Sequence, residues 1–174
     1  MRRIAFILLC ASVSVWVCAA APKTPRPLPN MTIPAPLGAK PIKLSSYAGK
    51  VLLIAVFSTE CETCIQTLQL LERMQKEFKG KDVQVVGAAA DPAAVSILPP
   101  FIDRYRFTIP LGYLTEADAR RLTDLTNPAD RLKVPAFLFV DKKGNVRFQY
   151  PGDDDFFDQT EMNTRGVILG LLGQ

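Results

Sequence analysis

The stretch Val51–Cys64, VLLIAVFSTECETC, constrains this chain more than any other, because a run of seven apolar residues leads within four positions to a pair of cysteines. Val51–Phe57 holds three β-branched residues and is too short for a helix of ordinary length, so it predicts a strand buried on both faces. Ser58 or Thr59 is placed to cap a helix that begins at the cysteines. A strand that delivers Cys-x-x-Cys to a helix N-terminus sets the first sulfur, that of Cys61, where unpaired N–H groups and the helix dipole favour thiolate over thiol. That is the chemistry of thiol–disulfide exchange.

The 174 residues, 48% hydrophobic and 22% charged, suffice for one good core and are few for two domains. The formal charge of +4 includes Arg2 and Arg3. No basic run or aromatic-basic patch stands out, which argues against nucleic acid as a partner. The chain has no histidine. The usual general base, the commonest metal ligand and every Ser/Cys–His pair are thereby absent, so cysteine or carboxylate must carry the chemistry.

Residues 1–21 have the form of a secretory signal peptide: Arg2 and Arg3, an apolar stretch Ile4–Val17, then Ala19–Ala21. An uncleaved anchor is the alternative, although these fourteen apolar residues fall short of the ~20 that cross a bilayer as a helix. The reading places the protein outside the cytoplasm, periplasmic or extracytoplasmic. Cys10 and Cys18 leave with that segment, and the mature chain keeps Cys61 and Cys64 alone. Such a pair can form an internal disulfide in an oxidising compartment.

Six prolines between Pro22 and Pro36 describe an extended tether over residues 22–30, with the domain occupying 31–174. Ile33 and Pro41–Leu44 suggest a short edge hairpin. After the cysteines, Cys64, Leu68, Leu71 and Phe78 recur at helical spacing, with Ile65 and Met74 beside them, and Gly80 closes the helix. Val83–Ala90 predicts a parallel strand and completes a βαβ unit. Pro99-Pro100 is expected to break any helix opened at Asp91-Pro92, leaving a helix over about 100–106, and Phe107–Leu114 predicts an extended piece. Thr115, with Glu116 and Asp118, predicts a capped helix to about Thr126. Ala136–Val140 and Val146–Tyr150 flank Asp141–Asn145 as a hairpin. Asp158–Leu172 predicts a last helix through Met162, Val167, Leu169 and Leu172. Asp153-Asp154-Asp155 reads as a solvated loop, a cation site being the alternative.

Three segments together carry a family resemblance: Leu44-Ser45-Ser46-Tyr47-Ala48-Gly49-Lys50 before the strand, Phe57–Cys64, and Val134-Pro135-Ala136-Phe137-Leu138-Phe139-Val140-Asp141-Lys142-Lys143-Gly144. In this order they resemble the thioredoxin-like superfamily, and most closely its exported thiol–disulfide oxidoreductases related to TlpA and ResA. The resemblance implies an α/β fold with a central mixed sheet flanked by helices. It implies Cys61 as nucleophile, Cys64 as resolving residue, a reversible Cys61–Cys64 disulfide, and a cis-proline at Pro135 that turns the Val134 backbone toward the sulfurs and a bound substrate. A protein or small-molecule disulfide and an upstream thiol donor are the implied partners, with no organic cofactor.

The motif also departs from the family. Glu60 stands where tryptophan is common, Thr63 replaces a proline, and neither Ala55 nor Thr67 supplies a buried acid near the cysteines. Glu60 and Glu62 are expected to tune the Cys61 ionisation by opposing a third negative charge, their bland alternative being solvated loop charges. A zinc site lacks further Cys or His ligands, and haem attachment lacks a histidine after Cys64, where Ile65 stands. A peroxiredoxin-like thiol peroxidase is the enzymatic alternative, without the proline and threonine that such enzymes would place at Ile54 and Ser58. A redoxin-fold interaction or chaperone protein with a structural disulfide is the non-enzymatic one.

Overall fold

In a computed structural model residues 23–36 and 38–173 are described. The expected signal peptide over residues 1–21 lies outside them. The chain runs β1 (Arg26–Pro27), β2 (Thr32–Ile33), β3 (Ile42–Lys43), β4 (Val51–Phe57), α1 (Glu62–Glu77), β5 (Val83–Ala89), α2 (Ala94–Tyr105), β6 (Leu111–Tyr113), α3 (Glu116–Leu122), β7 (Ala136–Val140), β8 (Asn145–Tyr150) and α4 (Thr160–Leu172), with short 3₁₀ turns at Leu44–Tyr47 and Asp155–Gln159.

The apolar run around which the sequence is organised is the middle of the sheet. Strand order is β1-β8-β7-β4-β5-β6; β4 pairs in parallel with β5, from Val51↔Val83 to Phe57↔Ala89, and antiparallel with β7, from Leu52↔Val140 to Val56↔Ala136. Every residue of β4 is buried, because its alternating side chains feed two cores. Val51, Leu53, Ala55 and Phe57 join α1, α2 and α4 on one face. Leu52, Ile54 and Val56 join α3 and the β2–β3 hairpin on the other. A mixed sheet covered by helices on both faces is the thioredoxin-like architecture, as expected. The β2–β3 hairpin is a separate two-stranded ladder, stitched to the sheet's far edge where Tyr113 N donates to Pro34 O at 2.9 Å.

The proline-rich segment is more than a tether. Arg26 and Pro27 pair with Val146 and Asn145 as an edge strand, where proline's missing N–H costs no ladder bond. Arg26 anchors it by donating to Leu122 O and Gln149 Oε1, both at 2.7 Å.

Helix α2 corrects the expectation that Pro99-Pro100 ends a helix, since both prolines lie inside it. They deprive the carbonyls of Val95 and Ser96 of a partner, and both of those residues are exposed to water. The interior-proline penalty of roughly 3 kcal/mol for each proline is opposed by burial of Leu98 and Phe101, worth about 1.5–3 kcal/mol each. Phe101 stacks on Phe57 at 5.7 Å and Phe107 at 5.6 Å.

Helix α3 has its expected cap, with Thr115 Oγ1 accepting from Asp118 N at 3.1 Å, but it ends at Leu122 and Asp124 turns left-handed at φ 55°. The segment over 107–114 is a strand only at Leu111–Tyr113. Helix α4 is also turned from the expected face: Thr164, Ile168 and Leu171 are buried, while Met162 and Leu169 point to solvent. Two glycines, Gly166 and Gly170, weaken the apolar periodicity of α4, so packing rather than pattern chose its orientation.

Candidate functional site

Strand β4 ends at Phe57, and helix α1 begins at Glu62 after four intervening residues. The cap is Cys61 itself and not Ser58 or Thr59. Its backbone is extended (φ −90°, ψ 110°), and its Sγ accepts the N–H of Cys64 at 3.2 Å, as a serine or threonine oxygen does at an N-cap. The first sulfur is therefore half-buried at the positive end of α1.

Cys64 lies in the first turn of α1 and is fully buried between Phe57, Leu68 and their neighbours. Burial pushes its thiol well above the usual range. A hydrogen bond with Cys61 and the charges of Cys61 and Asp91 push the same way, and a hydrogen bond with the Ser58 backbone opposes them. Both cysteines are unbonded thiols, so the expected Cys61–Cys64 disulfide is not formed here. Cys61 Sγ is engaged instead as a hydrogen-bond acceptor.

Glu60 and Glu62 are exposed. Glu62 accepts from Gln66 Nε2 at 3.3 Å along the helix, and neither carboxylate is among the groups that shift Cys64.

Asp91, just beyond the end of β5, has a part in this site that its place in the sequence did not reveal. Its Oδ1 accepts from Ser58 Oγ at 2.6 Å and its Oδ2 from Thr59 N at 2.9 Å. Ser58 then passes the order on, since its Oγ accepts from Glu60 N at 3.2 Å and its carbonyl from Cys61 N at 3.3 Å. From the sequence Asp91-Pro92 reads only as a helix opening. The contact joins residues 32 and 33 positions apart, a separation no periodicity can signal. The available hint is that Asp91 follows the carboxyl end of a parallel strand next to β4, where sites gather in α/β sheets.

The Val134–Pro135 peptide is cis, with Pro135 buried at the start of β7 and Val134 half-buried. Gly152 closes against it: Gly152 N donates to Lys133 O at 3.1 Å, and a Cβ at Gly152 would lie 2.6 Å from Val134 O. A cavity of about 540 Å³ runs between this loop and the β4–α1 turn, lined by Ser58, Asp91, Arg120, Arg131, Leu132 and Val134 among others. Arg120 shapes its wall by donating to the carbonyls of Asn127 and Asp130.

The acidic triplet does not converge. Asp153 pairs with Lys133, and Asp154 caps a 3₁₀ turn by accepting from Phe156 N at 2.8 Å.

Comparison with known proteins agrees with this architecture. A thiol:disulfide interchange protein of the thioredoxin family from Chlorobium tepidum superposes with a TM-score of 0.70 at 18% identity, covering 87% of this chain and 99% of that one. A thioredoxin-like protein from Porphyromonas gingivalis superposes with a TM-score of 0.64 at 17% identity, over 84% and 92%. In sequence, the thiol-disulfide oxidoreductase ResA of Oceanobacillus iheyensis is 25% identical over 105 residues, 60% of this chain and 51% of that protein. The match thus spans about half the length of that curated relative. These relatives bear out the resemblance to redoxins of the ResA kind. The sequence model of the AhpC/TSA family matches residues 25–149, most of the described domain, and the chain belongs to that family.

Proposed function

We propose that this protein is an extracytoplasmic thiol–disulfide oxidoreductase that reduces or isomerises protein disulfides through Cys61 and Cys64. The observation that carries the reading is the division of labour between the sulfurs: Cys61 is a half-exposed helix cap, and Cys64 is buried one turn behind it with its N–H on Cys61 Sγ. The Cys61 thiolate attacks a substrate disulfide, one substrate sulfur leaves as thiolate, and a mixed disulfide forms. Cys64 then loses its proton and attacks Cys61 Sγ, releasing the second substrate thiolate and leaving the Cys61–Cys64 disulfide, which an upstream thiol donor reduces. Val134 and Pro135 receive the substrate chain beside the sulfurs, a role that rests on the family resemblance.

A reducing poise is the companion proposal. A strongly stabilised thiolate favours the dithiol and makes an oxidant, whereas Glu60 and Glu62 flank Cys61 and oppose a further negative charge, with no His or Lys inside the motif. The couple therefore belongs nearer the thioredoxin end, at about −270 mV, than the DsbA end, at about −120 mV.

Trapping with Cys64→Ser tests the activity. A stalled mixed disulfide between Cys61 and a protein substrate supports it. Rapid consumption of hydroperoxide by the wild type, with no trapped protein, would instead favour the peroxidase reading. Equilibration with dithiothreitol measures the poise, and a value above about −150 mV would place the protein with the oxidants. Export is read from the first 21 residues and is checked by the intact mass of the protein recovered outside the cytoplasm.

A further inference from the structure

The carboxylate of Asp91 is not accounted for by the exchange steps above, yet both of its oxygens are committed to the turn that carries the cysteines. Among the described residues it is the carboxylate whose charge bears on the buried sulfur, beside the charge of Cys61. Glu60 and Glu62, the carboxylates nearest in sequence, are exposed and do not contribute. Glu72, further along α1, is occupied by Thr108 and Ile109.

We propose that Asp91 is a positioning residue of the dithiol site: it clamps Ser58–Thr59 so that Cys61 is held as the cap of α1. The clamp has a simple geometric origin. A carboxylate at the start of the β5–α2 connection spans the gap to the β4–α1 turn with one oxygen for the Ser58 hydroxyl and one for the Thr59 amide. Ser58 relays the restraint to the amides of Glu60 and Cys61. The same carboxylate adds a second, smaller effect, because its charge opposes a further negative charge on buried Cys64. Once Cys61 is bonded to substrate its charge is gone, and one of the two charges that oppose Cys64 ionisation goes with it. Resolution is thus held back until there is a bond to resolve.

This inference rests on the disulfide-exchange reading, but its test needs no substrate. Thiolate absorbance against pH is recorded for Cys61→Ser, where Cys64 is the sole thiol of the domain, and for Cys61→Ser with Asp91→Asn. The isosteric amide removes the charge, and the expected result is a downward shift of the Cys64 midpoint, with more thiolate at a fixed pH below it. An unchanged or raised midpoint would overturn the electrostatic half. In the presence of both cysteines, Asp91→Ala removes clamp and charge together and is expected to slow alkylation of Cys61 severalfold, while Asp91→Asn retains most of that rate. Equal rates in Asp91→Ala and wild type would overturn the clamp. If either Asp91 variant fails to fold, Ser58→Ala keeps the charge and removes one arm of the clamp. It should slow Cys61 alkylation and leave the Cys64 midpoint high, and a wild-type alkylation rate there would again refute the clamp. Loss of disulfide turnover in the wild type, with these thiolate shifts intact, would sink the exchange reading alone.

Discussion

The N–H of Cys64 points at Sγ of Cys61 across 3.2 Å, so the sulfur assigned to nucleophilic attack is also the cap that starts helix α1. Cap and nucleophile can be separated by substitution. Cys61→Ser retains an N-cap oxygen and should keep or slightly raise the melting temperature while abolishing exchange. Cys61→Ala removes the acceptor and should cost about 1 kcal/mol in denaturant unfolding. Equal stability of the two variants would show that the sulfur contributes nothing as a cap.

Gly152 stands where a methyl group would meet the carbonyl of Val134. Gly152→Ala must push the 133–135 loop or its own turn aside, and overpacking of this kind costs about 1–3 kcal/mol. Because Val134 is the proposed contact for substrate, the variant should raise KM for a disulfide substrate more than it lowers kcat. Thermal unfolding and steady-state reduction of a disulfide peptide check the two halves.

Glu72 ties α1 to the loop that leads into β6, accepting from Thr108 N at 2.9 Å, Ile109 N at 3.0 Å and Thr108 Oγ1 at 2.5 Å, with Lys76 at 3.3 Å. Burial alone would raise its carboxyl, but these donors outweigh burial and hold it below its ordinary range. A depressed folded value means the contribution to stability is complete above the unfolded carboxylate value, about 4.3, and is lost as pH falls through the lower folded value. Glu72→Gln should therefore cost about 1–3 kcal/mol near neutrality, and the difference from wild type should shrink below about pH 4. Urea midpoints measured across that range test it.

Arg26 reaches from the N-terminal edge strand to Leu122 O and Gln149 Oε1, with its side chain 13% exposed. Arg26→Ala removes two hydrogen bonds from a charged donor and should destabilise by about 1.5–3 kcal/mol. A chain begun at Met31 should lose at least as much relative to one begun at Lys23, measured by denaturant unfolding. No loss in either would return residues 23–30 to the status of a free tether.

Glu60 and Glu62 flank Cys61 in sequence but face solvent. Their joint replacement by glutamine is expected to make the potential less negative by roughly 5–20 mV, the scale of exposed charge pairs. A dithiothreitol titration reads this directly, and no change would mean that water screens both carboxylates completely.

The sequence by itself determined the middle of the sheet, the helix behind it and the hairpin beyond. A buried strand such as Val51–Phe57 advertises itself as an unbroken apolar run, α1 by the spacing of Cys64, Leu68 and Leu71, and the β7–β8 turn by its glycine, which takes φ 83° at Gly144. Cys61 and Cys64 were legible for the same reason, as neighbours in sequence on one local element. Long-range relations were not. The clamp from Asp91 to Ser58 and Thr59, the approach of Gly152 to Val134 and the reach of Arg26 to Leu122 each join residues far apart in the chain. Nothing local requires them. Local propensity was overruled in α2, where burying Leu98 and Phe101 kept two prolines in a helix, and in α4, where packing selected Ile168 and Leu171 over Met162 and Leu169. Periodicity records which faces are able to be buried, and only the competition among them for the two sides of one sheet decides which are.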